Sequence, residues 1–89
     1  MTSPSLWELH VAKPAAKALD EVGSKDRSLL LSALEAMRID PWSGDIVKLK
    51  GQPTAWRRRV GSWRILFDVH APRRLVVIAA ILRRTSTTY

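Results

Sequence analysis

Only Gly61 and Ser62 separate two runs of alternating residues, Trp56–Val60 and Trp63–Val69. A two-residue loop between strands leaves one option, a tight β-hairpin, and glycine at its first position selects a type II′ turn. So short a hairpin also fixes its register. Val60 faces Trp63, Arg59 faces Arg64, Arg58 faces Ile65, Arg57 faces Leu66 and Trp56 faces Phe67. Side chains alternate between the two faces of a strand. One face therefore collects Trp56, Val60, Trp63, Ile65 and Phe67, with Arg58 as the misfit. The other carries Arg57, Arg59, Arg64 and Leu66. The apolar face must be covered by another part of the chain.

That cover lies upstream. Pro14 suits the first turn of a helix, where its missing N–H costs little. Ala15, Ala18, Leu19 and Val22 follow at helical spacing, and Gly23 is the expected C-cap. Ser24 is expected to cap a second helix, on which Leu30, Ala33, Leu34 and Met37 fall at i, i+3, i+4 and i+7; Pro41 ends it. The two helices read as an antiparallel hairpin. Ser5–Val11 reads as a first strand, Ile46–Lys50 as a short one, and Gly51–Thr54 as a turn. Leu75–Leu82 is apolar on both faces, the pattern of a central strand covered on each side, and Pro72, Arg73 and Arg74 form the turn before it. The expected architecture is α+β: an N-terminal strand, a two-helix antiparallel hairpin, then a three-stranded antiparallel sheet, all in one domain spanning residues 1–89.

Composition removes several function classes. The chain has no cysteine, so disulfides and thiolate metal sites are excluded. Its two histidines, His10 and His70, are far apart in sequence, and no metal or cofactor site is expected. A hydrophobic fraction of 46% is ordinary for a globular chain. No apolar run approaches the roughly 20 residues that span a bilayer, and the N-terminus lacks the layout of a signal peptide. A cytoplasmic location without membrane contact is the expectation.

Charge is segregated. Residues 46–89 hold ten of the fifteen basic residues against the single acid Asp68, a net of +9, whereas residues 1–45 hold five basic and seven acidic residues, a net of −2. Most of the basic half is arginine, whose planar fork suits bidentate phosphate contacts. A polyanion, most often nucleic acid, is the first partner such a half implies.

Register sharpens this. Two arginines directly opposite each other on a sheet face repel, and folding gains nothing from Arg59 facing Arg64. An anion between them would justify the arrangement. If Leu75–Leu82 runs antiparallel to Trp63–Val69, Arg83 ends beside Arg64, so Arg57, Arg59, Arg64 and Arg83 are expected to converge. Tyr89 is close enough in sequence to fold back over them. A solvated or edge-protecting role is the alternative for Arg58, Arg73 and Arg74, of which Arg73 and Arg74 read as turn residues outside the cluster. Lys48 and Lys50 fit either an edge-strand role or a nucleic-acid contact. Trp56 and Trp63 belong to the core by their face; the pattern leaves Trp42 unplaced. His10 is expected to be a partly buried structural residue. His70 shares the face of Arg64 but lies about 20 Å along the strand, too far for the same site.

The ordered set Lys48-Leu-Lys-Gly51, Trp56-Arg-Arg-Arg-Val-Gly61 and Trp63-Arg-Ile-Leu-Phe67 resembles the RelE/ParE toxin superfamily. So do the β-rich segment ending at Arg83-Arg84, the terminal Tyr89 and the upstream Ala-Ala-x-Ala-Leu helix. The resemblance runs over nearly the whole chain and favours the RelE-like branch. It implies a helical hairpin on a small antiparallel sheet, and a toxin of a type II toxin–antitoxin system neutralised by a cognate antitoxin, expected to be acidic and partly disordered. It implies ribosome-dependent mRNA endoribonuclease activity, with Arg59, Arg64, Arg83 and Tyr89 as catalytic positions and Lys48, Lys50 and Arg57 as RNA contacts. The ParE-like alternative is inhibition of DNA gyrase without nuclease chemistry. One departure matters: some RelE members carry lysine at the positions matched by Arg57 and Arg59, and one such lysine is proposed as general base. Arginine, with a pKa above about 12, is ill suited to that role.

Overall fold

The computed structural model describes residues 6–52 and 54–83. Strand β1 (Glu8–Val11) is followed by helices α1 (Lys13–Glu21) and α2 (Ser24–Ile39), then strands β2 (Asp45–Lys48), β3 (Trp56–Val60), β4 (Trp63–His70) and β5 (Leu75–Arg83). A single 3₁₀ turn, Ala71–Arg73, joins the last two strands. All five strands form one sheet in the order β1-β5-β4-β3-β2. The expected three-stranded antiparallel core is present and gains a strand on each edge. β2 extends it antiparallel on β3, and β1 pairs parallel with β5, so the sheet is mixed. Both helices and three antiparallel strands lie between β1 and β5 in the chain, so their parallel pairing closes over a long connection, as parallel strands require.

The hairpin forms in the expected register, residue for residue. Gly61 has φ +57 and is the turn residue with positive φ, as a type II′ turn demands. A side chain there would be strained by the backbone and crowd Leu29. Ala15, Leu30, Ala33, Leu34 and Met37 from the helices bury against Trp63, Ile65, Phe67, Val76, Ile78 and Ile81 from the sheet. This is the apolar face derived from alternation. Leu75–Arg83 is central, but both helices cover the same face. Among the described residues no helix packs on the other, where Leu75 and Val77 are half-buried.

Three local expectations are corrected. Gly23 does not cap α1 in a left-handed conformation. Val22 is the C-cap, and Gly23, at φ −66, is the N-cap of α2, with Ser24 already inside the helix. The α1 carbonyls find another donor: Arg27 gives hydrogen bonds from Nε to the Leu19 carbonyl and from Nη2 to the Asp20 carbonyl, both at 2.8 Å. A basic side chain one turn into α2 thus takes the place of the glycine cap. Strand β2 starts at Asp45 and ends at Lys48, one to two residues earlier than the β-branched run implied. His10 is exposed rather than partly buried.

The consequential difference is a β-bulge in β5. Phe67 pairs with Ile78, but Leu66 pairs with Ala80, leaving Ala79 as the extra residue. An inserted residue reverses the facing of all that follow. Before the bulge Val76 and Ile78 face the helices; after it Ile81 does, and all three are buried. A regular strand would have sent Ala80 and Leu82 inward instead.

Candidate nucleic-acid interface

The sheet face away from the helices presents two cross-strand rows. The first runs Asp45, Arg59, Arg64, Leu82 across β2, β3, β4 and β5; the second runs Val47, Arg57, Leu66, Ala80. The hairpin turn makes Val60–Trp63 the hydrogen-bonded closing pair, so Arg59 and Arg64 form the next, non-hydrogen-bonded pair. Such pairs have Cα atoms about 4.5 Å apart and the closest side chains. The two arginine side chains therefore leave the sheet from directly opposed positions on adjacent strands.

Their surroundings differ. Arg64, in the middle of the sheet, is only 7% exposed. Arg59 is more open and donates from Nε to Asp45 Oδ2 at 2.9 Å. Arg57 is half-buried, and its Nε is shut off from solvent without a hydrogen-bond acceptor. A buried charged donor lacking an acceptor costs free energy, and an anion on this face would supply one. The acid of the first row, Asp45, carries no site signal in the linear sequence. Carrying the hairpin register across one more strand would have found it, but nothing local sets the pairing of β2 with β3.

Arg58, the misfit on the apolar face, is accommodated by a cradle. It lies under the loop between α2 and β2, where its Nη1 hydrogen-bonds Ser43 Oγ at 3.3 Å. Gly44, at φ +83, makes the room: a Cβ there would sit 2.7 Å from the Arg58 Cζ. The loop is tightened further by Asp40, whose Oδ1 accepts from the Trp42 N–H and whose carbonyl accepts from the Ser43 hydroxyl. Trp42 sets its ring against Trp56 edge-on, centroids 5.1 Å apart at 67°. Burial pushes the Arg58 guanidinium below the usual arginine pKa. It is a structural side chain.

Other predicted site residues separate from the pair. Arg83 pairs with Trp63, not Arg64, because the Ala79 bulge turns it to the helix face. Its guanidinium lies 5.4 Å from the centre of the Trp63 ring. There it borders a cleft of about 400 Å³ with Glu21, Val22 and Asp26. Convergence of Arg83 with Arg57, Arg59 and Arg64 on one face is thus corrected. Lys48 pairs with Trp56 and so belongs to the helix side at the sheet's edge, while Lys50 is exposed in the loop beyond β2. Arg74, in a left-handed conformation at φ 48, places its guanidinium 4.6 Å from the centre of the Trp7 ring and anchors the first strand. Asp68 accepts the Ala55 N–H at 2.7 Å, holding the entry to β3. Tyr89 lies outside the described residues. Among the described residues no cluster of metal-ligating side chains occurs and no helix is long and apolar enough to cross a membrane.

No protein-family model matches the sequence, and no curated protein matches it either. Solved structures do match. A chain of the archaeal RelE–RelB complex from Pyrococcus horikoshii superposes with a TM-score of 0.79 at 20% identity, covering 92% of this chain and 99% of that one. The isolated Escherichia coli RelE toxin gives 0.74 at 19% identity, covering 91% and 87%. A RelBE toxin–antitoxin complex from Mycobacterium tuberculosis gives 0.75 at 17% identity, covering 89% and 99%. The matches extend over nearly the full length of each chain, through both helices and the sheet. This chain has the fold of the RelE toxins.

Proposed function

We propose that the protein is the toxin of a type II toxin–antitoxin pair and acts as a ribosome-dependent mRNA endoribonuclease. The observation that carries this reading is the Arg59–Arg64 pair, two like charges held face to face beside the orphaned Nε of Arg57. The reaction is attack of an RNA 2′-hydroxyl on the adjacent phosphate with expulsion of the 5′ oxygen. Its transition state gathers negative charge on the phosphoryl oxygens, and prepositioned guanidinium groups stabilise that charge without reorganising. Arg64, held by burial, grips the scissile phosphate. Arg59 and Arg57 take the developing charge and the flanking phosphate. Arg83 reaches RNA only around the end of β5, as a peripheral contact, and Lys48 and Lys50 hold RNA at the β2 edge. Tyr89 is assigned to orienting the 2′-hydroxyl. With arginine at the base position, free RNA is a poor substrate, and the ribosome supplies substrate geometry.

Translation-coupled cleavage tests the proposal. Wild-type protein cuts mRNA during translation, and Arg64→Ala lowers the rate by about a hundredfold or more, the scale of losing one oxyanion donor. Full cleavage by Arg64→Ala would refute the site. The all-arginine set also favours a second reading, a ParE-like inhibitor of DNA gyrase without nuclease chemistry. Blocked supercoiling with translated mRNA intact would establish it. In either case an acidic, partly disordered antitoxin fits the +9 half of the chain. The matched RelE–RelB and RelBE complexes support an antitoxin partner; if it is acidic, its complex should dissociate steeply with salt.

A further inference from the structure

We infer that Asp45 is an internal competitor for the phosphate site, a latch that holds Arg59 until RNA displaces it. The inference rests on the phosphate-binding reading of the Arg59–Arg64 pair. Asp45, Arg59 and Arg64 occupy one cross-strand row, so the carboxylate flanks Arg59 on the side opposite Arg64. Its Oδ2 takes the Arg59 Nε–H at 2.9 Å. That donor edge is also the one a phosphate oxygen would use in a bidentate contact.

Three features make this pair a latch rather than a strut. The first is the repulsion between Arg59 and Arg64, which directly opposed like charges impose. Asp45 offsets it in the free protein by supplying the negative charge that RNA supplies later. The second is exposure. Both partners are substantially open to solvent, at 51% for Asp45 and 38% for Arg59, so the ion pair is weak and opens readily. The third is place: β2 is an edge strand, and Asp45 is its first residue, directly after the loop pinned over Arg58. The carboxylate is therefore held at the rim of the arginine row. Asp68, on the same face two positions beyond Leu66 along β4, is engaged by the Ala55 N–H, and Glu8 lies far off on the opposite edge strand.

A single phosphate drawn to Arg59 and Arg64 meets the Asp45 carboxylate as a rival and a like charge. A polynucleotide, which engages Arg57 and further cations at the same time, overcomes it. Asp45 thus weakens binding of stray anions more than binding of positioned RNA.

A double-mutant cycle tests this, using fluorescence anisotropy with a labelled single-stranded RNA 12-mer. Asp45→Asn should tighten binding by about threefold to tenfold and steepen the salt dependence by up to about one ion. In the Arg59→Ala background, Asp45→Asn should change affinity by less than about twofold. Titration of inorganic phosphate should shift the Arg59 Nε–H resonance at lower concentration in Asp45→Asn than in wild type. An equal gain in both backgrounds would mean only bulk charge is at work, and no gain in either would mean the pair does not compete; both outcomes overturn the latch. Arg64→Ala separates this failure from failure of the site: if it leaves RNA binding unchanged, the phosphate site and the latch fall together. If it weakens binding while Asp45→Asn is flat, the latch alone falls.

Discussion

Arg58 and Arg59 are adjacent on β3 and chemically identical, yet they point to opposite faces and meet opposite fates. Arg58 goes inward under Gly44 and Ser43, loses water, and has its charged form disfavoured by burial. Arg59 goes outward, pairs with an exposed carboxylate, and stands beside Arg64. The contrast shows that a run of arginines is not one electrostatic object. The strand's two-residue period divides it into a part that glues a loop to the sheet and a part available to an anion.

The comparison is broken most severely at the outer face. Arg64→Ala should lower translation-coupled cleavage by about a hundredfold, whereas Arg58→Met should leave RNA affinity within about twofold. Equal losses from both would erase the distinction between the faces. Next is the cradle. Gly44→Ala places a side chain at φ +83 and against the Arg58 guanidinium, and should cost about 1–3 kcal/mol in urea unfolding. Adding Arg58→Met to Gly44→Ala should recover part of that loss, which checks that the clash is with Arg58. Smaller still is Arg27→Ala, which strips two hydrogen bonds from the α1 carbonyls. About 1 kcal/mol is expected, with RNA binding untouched.

The Ala79 bulge invites a deletion. Removing Ala79 leaves Ile78, Ala80, Ile81, Leu82 and Arg83 in regular alternation opposite the same partners on β4. Stability should move by no more than about 1 kcal/mol, and a nuclear Overhauser contact between Arg83 and Trp63 should persist. If the deletion brings Arg83 to the Arg59–Arg64 face, the account of the bulge is wrong. The smallest effect is expected from Arg73→Ala, in the turn before β5: unfolding midpoint and RNA affinity should both stay at wild-type values.

Much of this molecule was legible in its sequence, and the legible parts share a property. The hairpin register, the helical stripe Leu30-Ala33-Leu34-Met37 and the inward face of Trp63, Ile65 and Phe67 all depend on neighbours within a turn or two. Capping was less legible. Gly23 looked like the residue that ends α1, but Arg27, from the next helix, satisfies the carbonyls instead. Either solution meets the same demand, and only packing selects between them.

Sequence by itself determined the α+β class, the sorting of the β3 and β4 side chains, and the confrontation of Arg59 with Arg64, because a two-residue turn leaves the chain no freedom there. Tertiary structure alone decided that β1 pairs parallel with β5, that Asp45 stands opposite Arg59, and that Arg83 leaves the arginine face. Each of these is a register between strands joined by long connections, or by a ladder carrying one extra residue. Such registers are set by the fit of the whole core: a one-residue shift reverses every face at no local cost, and burial of apolar side chains against the helices, Ile81 after the bulge among them, selects the shift that forms.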